Sequence, residues 1–438
     1  MDVMRGVVIG SVCSGSGKTV IVSGLLRVLR EQGVRVCGGK VGPDYIDPSF
    51  HELASQRPSL LCDLWALGHR RLAAMVADEA DSGCTHLVVE GVMGLFDKGV
   101  GCSTAEVAAY LGSPVVLVID VSAMAESVVA VADGFRARAA RMGVAVGGVI
   151  VNRVGGQRHR DLLRAALEAE GIAIYGMVPR RVEMALPQRL LGLVPSWEHK
   201  GNEAVIQGIA DTVREHVDVA GLCAMMQPLD YGQGAQEGSQ AGIDVLFGGQ
   251  RLAVAYDDAF CFVYGWMRQA WRKGGRDVTF FSPLADEAPP LDSDVVFLPG
   301  GYPERYAGRL ASNRRFLGGL RACAGRGVFV YGECGGFMTL GRALCDREGQ
   351  WHEMAGLLPC RTSIDEPQLA LAYRQVRCPR DTPLGTQGTR WRGHEFHYAR
   401  VTDTQKNQGL FIDETTGHPI GLMQDKVAGS FVHLIARQ

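Results

Sequence analysis

The chain has 438 residues, of which 47% are hydrophobic and 21% charged, with a formal net charge of −2 at pH 7. This length predicts two or three domains with separate cores, and the composition is that of an ordinary globular protein. The near-neutral charge gives no electrostatic reason to expect nucleic acid or a membrane surface as a partner. No apolar run or N-terminal pattern suggests a membrane span or a signal peptide. Since the twelve cysteines form no C-x-x-C pair, we expect free thiols and a cytoplasmic location.

Residues 7–26 predict a nucleotide-binding loop, because an apolar run leads into a glycine-serine loop and then into an apolar-periodic helix. Gly15 and Gly17 allow backbone N–H groups to turn toward an anion. Lys18 can reach the outer phosphates of a nucleotide, and the Thr19 hydroxyl can ligate magnesium. The alternative is a plain Gly-rich turn, which the Lys-Thr pair at the helix start disfavours. The expected nucleotide-binding residues are Ser14, Gly15, Ser16, Gly17, Lys18, Thr19 and Lys40.

Apolar runs alternate with helical patterns from residue 6 to about residue 195. The predicted strands cover residues 34–37, 86–90, 115–120, 147–152 and 172–178, and the predicted helices include residues 70–81, 124–141 and 158–170. Unbroken Val/Ile/Leu strands separated by helices indicate a parallel sheet covered on both faces. Ligands of such sheets bind at the carboxyl ends of the strands.

Acidic residues follow two of these strands and predict a metal site beside the phosphate loop. An acid at the carboxyl end of a strand, such as Glu90, commonly holds a nucleotide-bound metal. A helix-capping or solvated acid is the other interpretation of Glu90. Asp97, at the end of a glycine-hinged loop, suits a substrate contact and a simple turn equally well. The predicted magnesium ligands are Thr19, Asp44, Asp47 and Glu90, and Asp97 is the predicted substrate contact.

A segment rich in Gly, Gln and Ser separates this half of the chain from a second α/β series. In that series, strands are predicted over residues 251–256, 277–281, 294–298 and 327–331, and helices over residues 259–272 and 313–324. The chain from residue 351 onward suggests antiparallel strands. The predicted organisation is a P-loop α/β domain over residues 1–220, a linker over 221–249 and a second α/β domain over 250–438.

Cys334 is the predicted nucleophile of the second domain. It lies between an apolar strand and a helix, in a tight turn flanked by glycines, where a helix N terminus lowers a thiol pKa. Cysteines are more often inert core residues, but Cys334 alone has this elbow context. His433, in a late strand-like run, is the expected base, although a histidine there can also be structural. Glycine amides of the loop over residues 298–304, Gly301 among them, and the Gly335 N–H suit an oxyanion hole.

Several runs of the first half resemble the N-terminal domain of the cobyrinate and hydrogenobyrinate a,c-diamide synthases, relatives of dethiobiotin synthetase. These runs are SVCSGSGKT, KVGPDYIDPSFH, LCDLW and EGVMGLFD. The resemblance implies binding of ATP and magnesium and phosphorylation of a substrate carboxylate, with Asp97 toward the tetrapyrrole. Ser11 and Val12 depart from the Gly-Thr more typical of the loop. Partition-type ATPases carry a second lysine where this chain has Cys13, so that class is disfavoured.

The runs LPGGYPE, YGECGGFM and GSFVHL resemble class I glutamine amidotransferase domains of the cobalamin-biosynthesis type. The usual third member of their triad, a glutamate two residues after the histidine, is Ile435 here, so the resemblance implies a Cys334–His433 dyad. The run RGHEFHY resembles a family signature with a substrate-facing or structural role. FSPLADEAP, YGECGGFM and AFCFVYGWM are closer to the enzymes that act on hydrogenobyrinate.

The resemblance therefore implies ATP-dependent, glutamine-hydrolysing amidation of the a and c acetates of hydrogenobyrinate through acyl phosphates. Glutamine or ammonia and a corrin-type carboxylate are the expected partners, magnesium is the expected cofactor, and a homodimer is one option for the assembly. Alternatives are the same reaction on cobyrinate, or a ligase of the cobyric acid synthase or nickel-sirohydrochlorin diamide synthase type. A regulatory ATPase with a degenerate amidotransferase module is disfavoured by the intact elbow.

Overall fold

The computed structural model describes residues 3–98, 101–180, 188–189, 192–193, 196, 201–231, 246–247, 251–404 and 409–438. The chain divides into two compact units, Met1–Gly242 and Ile243–Gln438. Residues 219–228 form a helix and a short strand of the first unit. Most of the linker expected over residues 221–249 lies outside the described residues, and the linker stays a prediction.

The first unit is built on a parallel sheet. Its strands are β1 (Arg5–Ser11), β2 (Val36–Lys40), β3 (Leu60–Leu61), β4 (His86–Glu90), β5 (Val115–Asp120), β6 (Val146–Val154), β7 (Ile174–Pro179), β8 (Gln188–Arg189), β9 (Gly192–Leu193) and β10 (Gln227–Pro228). The main sheet has the order β3-β2-β4-β1-β5-β6-β7, with all these pairs parallel; β10 joins β1 antiparallel, and β8 pairs with β9 separately. β1 therefore lies centrally, so that its carboxyl end meets those of β4 and β5.

Helices cover this sheet, as the alternating pattern predicted. They are α1 (Lys18–Glu31), α2 (Ile46–Ser55), α3 (Leu64–Asp81), α4 (Thr104–Tyr110), α5 (Val128–Ala140), α6 (Gln157–Ala169), α7 (Asn202–His216) and α8 (Val219–Met225). α3 begins earlier than predicted because Asp63 caps it, accepting from Ala66 N at 2.9 Å, and Gly68 (φ 73°) kinks it before the regular part. Apolar side chains of α1 and α7, such as Leu25 and Ile209, share one buried cluster with the sheet.

In its described residues, the second unit has a central sheet and two smaller ones. Its strands are β11 (Arg251–Ala255), β12 (Asp277–Phe281), β13 (Val295–Leu298), β14 (Phe329–Glu333), β15 (Ala343–Cys345), β16 (Trp351–Glu353), β17 (Cys360–Ser363), β18 (Ala370–Arg377), β19 (Arg390–His397), β20 (Arg400–Thr404), β21 (Phe411–Asp413), β22 (Pro419–Ile420), β23 (Leu422–Gln424), β24 (Val427–Ser430) and β25 (His433–Arg437). The central order is β12-β11-β13-β14-β24-β23, parallel up to β24; the others are β16-β15-β17-β20 and β22-β21-β18-β19-β25. The late strands are largely antiparallel, as predicted.

The described residues of the second unit form four α-helices: α9 (Gly265–Lys273), α10 (Ala307–Ser312), α11 (Arg314–Gly325) and α12 (Gly335–Leu340). The helix predicted over residues 259–272 starts later, at Gly265. Backbone groups of the preceding residues bond the loop after β13 instead: Phe262 N donates to Gly300 O, and Tyr302 N donates to Ala259 O, both at 3.0 Å. Among the described residues, no helix is long and apolar enough to cross a bilayer.

Candidate active sites

The phosphate-binding loop connects β1 to α1 at the centre of the first sheet. Gly15 (φ 77°) and Gly17 (φ 90°) adopt backbone conformations that L-residues rarely take. A Cβ at Gly17 would lie 2.3 Å from the Asn152 amide nitrogen, which donates to Ser16 O at 2.9 Å. Position 17 thus requires glycine for two reasons: the positive φ, and the lack of room for a Cβ beside Asn152. Sequence reasoning missed Asn152, whose only signal was its place at the end of a predicted strand.

Lys18 is buried at the start of α1 and is held from two sides. Its Nζ donates to Ser11 Oγ and to Met93 O, both at 2.8 Å. Burial, together with the nearby Lys40 charge, lowers the pKa of Lys18. An anion placed on this loop would therefore meet a poorly solvated ammonium group.

Glu90 is the centre of a buried polar network at the carboxyl end of β4. Its Oε1 accepts from Thr19 Oγ1 at 2.7 Å and from Lys40 Nζ at 3.0 Å, and Lys40 also pairs with Asp47 at 2.5 Å. Burial alone would raise the pKa of Glu90, but Lys40, His51 and Thr19 together hold it well below its usual range. Glu90 is therefore neither a helix cap nor a solvated acid.

His51 on α2 completes this network, although sequence reasoning assigned it no role. Its Nε2 lies 2.7 Å from Glu90 Oε2 and its Nδ1 lies 3.1 Å from Ser59 Oγ. Because a carboxylate can only accept, Nε2 donates to Glu90. A Cβ at Gly38 would lie 2.7 Å from the His51 Cβ, so a glycine in β2 makes room for the ring.

The four predicted metal ligands fall into two groups. Thr19, Glu90 and Asp47 meet around Lys40, whereas Asp44 Oδ1 accepts from Ile46 N (2.7 Å) and Asp47 N (3.1 Å) at the start of α2. Within the described part of the chain, no group of three or more His, Cys, Asp or Glu side chains is arranged to hold a metal by itself. A nucleotide-bound Mg²⁺ needs fewer protein ligands than this. A hydroxyl and one or two carboxylates suffice, because phosphates and water complete its octahedron. The donor set of Thr19 and Glu90 fits such an ion.

Asp97 closes a turn in the loop after β4. Its Oδ2 accepts from Gly94 N at 2.9 Å, and Asp97 N donates to Gly94 O at 3.0 Å. A Cβ at Gly94 would lie 2.7 Å from Val12 O, so this loop lies directly against the phosphate loop. The turn role of Asp97 is thus visible, and its contact with a substrate stays a prediction.

Cys334 sits on a strained elbow between β14 and α12, with φ 47° and ψ −104°. Its N–H donates to Ser430 O at 2.8 Å. The glycines around it are required by close approach: a Cβ at Gly332 would lie 2.6 Å from Gly336 C, and one at Gly336 would lie 2.0 Å from Leu298 O. Backbone strain of this kind is typical of nucleophile elbows.

His433 begins β25 and lies beside the loop after β13. A Cβ at Gly300 would approach its Cε1 to 2.4 Å and its Nε2 to 3.2 Å. The ring also stacks on His394 of β19, with centroids 4.9 Å apart and planes 12° apart. Burial, followed by the charges of His394 and His397, lowers the pKa of His433 well below its usual range. A neutral imidazole results, which is the form that can accept a proton.

The predicted oxyanion donors lie next to each other. A Cβ at Gly335 would lie 3.2 Å from Gly301 N, and Gly336 N donates to Pro299 O at 3.1 Å. The loop after β13 is thereby fixed against the elbow. The two residues are thus close enough to act together, and their role as oxyanion donors stays a prediction.

The thiol of Cys334 behaves differently from the sequence-based expectation. Burial raises its pKa well above the usual range, with Glu304 and Glu333 acting in the same direction, while the Gly335 N–H only partly opposes them. The expected lowering by the helix N terminus is therefore wrong for the resting protein, since α12 has only six residues and the site is desolvated. Cys334 rests as a thiol and needs a base.

Family models match both units. Residues 7–193 match the CobQ/CobB/MinD/ParA nucleotide binding domain, and residues 251–438 match the CobB/CobQ-like glutamine amidotransferase domain. A phosphate loop with a buried Lys-Glu network in one unit and a cysteine elbow in the other agree with these matches. The fold and sites thus define a glutamine-dependent, amide-forming ligase with a nucleotide-binding domain.

Similar proteins of known name indicate which family of amide-forming ligases the chain belongs to. Hydrogenobyrinate a,c-diamide synthase of Rhodobacter capsulatus is 42% identical over 99% of both chains, and that of Brucella abortus is 42% identical over 99% of this chain and 98% of the other. The chain belongs to the hydrogenobyrinate a,c-diamide synthase family. Among solved structures, PurLQS from Thermotoga maritima aligns at 16% identity and a TM-score of 0.32, covering 42% of this chain and 88% of that one, which is too distant to carry an argument.

Proposed function

We propose that this protein converts hydrogenobyrinate to its a,c-diamide, using glutamine as the nitrogen donor and ATP to activate each acetate carboxylate. The main support for this proposal is the 42% identity, over nearly the whole chain, to proteins named hydrogenobyrinate a,c-diamide synthase. The proposal places the enzyme in the cytoplasm and includes a homodimer as its assembly. It involves neither nucleic acid nor a membrane surface.

In the amidotransferase unit, Cys334 Sγ attacks the side-chain carbonyl carbon of glutamine while His433 takes the thiol proton. The N–H groups of Gly301 and Gly335 stabilise the oxyanion, and His433 returns the proton to the departing ammonia. Water then hydrolyses the thioester to glutamate and regenerates the thiol. The neutral, buried state of His433 supports its role as the base.

In the nucleotide-binding unit, the substrate carboxylate attacks the γ-phosphorus of ATP and becomes an acyl phosphate. Ammonia then displaces phosphate, a far better leaving group than hydroxide, and two rounds produce the two amides. Residues 14–17 hold the phosphates through backbone N–H groups, and Lys18 and Lys40 compensate their charge. Asp97 faces the tetrapyrrole in this proposal.

Thr19 and Glu90 would hold Mg²⁺, with Asp44 and Asp47 contributing directly or through water. The ion supplies neutralisation of charge on the phosphates when it is bound. On this chain's side, His51 fixes the orientation of the Glu90 carboxylate through the 2.7 Å hydrogen bond. Asp47 holds Lys40 beside the same carboxylate.

The proposed reaction is tested by incubating the purified protein with ATP, magnesium, glutamine and either hydrogenobyrinate or cobyrinate, and counting amides by mass spectrometry. We expect two amides to be added to hydrogenobyrinate in preference to cobyrinate. Preference for cobyrinate would overturn the substrate and keep the reaction. Absence of amidation of either acid would overturn the reaction as well.

A His51→Ala variant should raise the magnesium concentration required for half-maximal amidation by about 10–100-fold, the usual effect of losing a residue that orients a metal ligand. His86→Ala is a matched control, since His86 lies at the other end of β4 and bonds Thr85 Oγ1 at 2.9 Å. Magnesium titrations at saturating ATP measure both. Equal magnesium requirements in the two variants would contradict the orienting role of His51.

A further inference from the structure

A buried carboxyl group that the proposed mechanism does not use lies next to the nucleophile. Glu333 is the last residue of β14 and is 3% exposed. Burying an acid is costly unless its oxygens are bonded, so a glutamate at this position requires a reason. Nothing in its local sequence signals a role, because it reads as the end of an apolar strand.

Both oxygens of Glu333 are directed toward β25. Oε1 accepts from Leu434 N at 3.0 Å and from the Tyr331 hydroxyl at 3.3 Å. Oε2 lies 3.8 Å from His433 Nδ1. The carboxyl group of Glu333 therefore accepts a hydrogen bond from the backbone immediately after His433 and lies near Nδ1 of the His433 ring.

Two other neighbours pack against the His433 ring. His394 covers one face of the His433 ring, and Gly300 lies at the edge that carries Cε1 and Nε2. The loop of Gly300 also flanks the elbow of Cys334. Glu333 thus faces Nδ1, while Nε2 is on the side of the loop that forms the proposed oxyanion hole.

Other acids do not take this position in the described chain. Position 435, where class I amidotransferases usually carry the triad glutamate, is a buried isoleucine. Glu395 on β19, adjacent in sequence to His394, is bonded instead to Arg374 at 2.8 Å. An acid from β14 can therefore fill the place that position 435 leaves apolar.

We propose that Glu333 is the positioning residue of His433, and that this acid from β14 replaces the triad acid missing from β25. When the Cys334 S–H proton moves to Nε2, the Nδ1–H of the imidazolium faces the Glu333 carboxylate, which stabilises the new charge. The proton then leaves Nε2 with ammonia, so the imidazole returns to its neutral state while the Glu333 carboxylate stays ionised throughout. This inference rests on the proposed roles of Cys334 and His433.

The titration of Glu333 supplies a signature for this role. Burial raises its pKa to about 8, although the Leu434 N–H and the Tyr331 hydroxyl favour the ionised form. The carboxyl group is therefore protonated below about pH 8 and ionised above it, and glutamine hydrolysis should rise with pH through that range. Among the described residues, Tyr331 bonds Glu333; Glu304 and Glu395 act on Cys334; and His394 and His397 act on His433, with Arg374 next to His397.

The test compares Glu333→Gln with Glu395→Gln in the full-length protein. Glutamine at position 333 keeps an acceptor for Leu434 N but removes the charge. We expect kcat for glutamine hydrolysis to fall on the order of 10²-fold and KM to change less than about threefold, with the rise near pH 8 lost. Ammonium-dependent amidation should stay within about twofold, and Glu395→Gln should stay within about threefold in every assay.

Two results would overturn the role of Glu333, and a third would overturn the proposed function on which that role rests. Glu333→Gln with parental kcat and pH profile, beside an inactive Cys334→Ala, would overturn the role of Glu333 and leave the proposed function standing. A large loss in Glu395→Gln alone would assign the acid to β19 instead. Normal glutamine hydrolysis by Cys334→Ala would overturn the proposed function itself. If Glu333→Gln does not fold, Glu333→Asp and the pH dependence of Cys334 alkylation by iodoacetamide, read by peptide mass spectrometry, provide the same comparison.

Discussion

Cys334→Ala should lose glutamine-dependent amidation by at least about 10³-fold while ammonium-dependent amidation stays within about twofold. The loss follows because no other group at the elbow can form the thioester. The retention follows because ammonium supplies the nitrogen directly to the acyl phosphate, so that the nucleotide-binding unit needs no glutaminase. Amide formation is measured with each nitrogen donor over a range of concentrations.

Cys345→Ala is the matched control, because Cys345 is another buried cysteine of the same unit, at the end of β15. It should keep both activities. Loss of the ammonium reaction in Cys334→Ala would mean that the elbow is needed for the fold or for the ligase step. Retention of the glutamine reaction would remove Cys334 from the mechanism.

Lys18→Ala should lose amidation by at least about 10³-fold with either nitrogen donor, the opposite pattern. Lys18 is the buried ammonium group at the start of α1, and its removal leaves the outer phosphates without their closest proposed cation. Alkylation of Cys334 by iodoacetamide should be unchanged, since that thiol is in the other unit. Binding of a fluorescent ATP analogue should weaken in parallel with the loss of activity.

Lys98→Ala provides the comparison, because Lys98 is exposed and its ion pair with Glu106, at 3.4 Å, lies at the surface. Exposed pairs contribute little to stability. Its activity should equal that of the parent protein. Amidation by Lys18→Ala at more than a tenth of the parental rate would contradict a phosphate-binding role for this lysine.

The phosphate loop and the elbow were predictable because each is contiguous in sequence. Gly15, Gly17 and Lys18 act within one turn of backbone, and so do Cys334 and its flanking glycines. The alternation of apolar runs and helical patterns likewise indicated the parallel sheet of the first unit. Boundaries were less predictable where a long-range contact overrode a local pattern, as for residues 259–264, whose backbone bonds the loop after β13.

The chain's sequence by itself determined the class of chemistry: a nucleotide-binding loop, a nucleophile elbow and a late histidine. Only the tertiary structure decided which groups support them. His51 meets Glu90 at 2.7 Å across 39 residues, and Glu333 stands 3.8 Å from His433 Nδ1 across 100 residues. No local sequence pattern predicts these two side-chain contacts, because they depend on the order of the strands in the sheets. β4 pairs with both β1 and β2, while β14 pairs with β24, the strand before β25. Burial also reversed the expected direction of the Cys334 pKa, since desolvation is a property of the folded site.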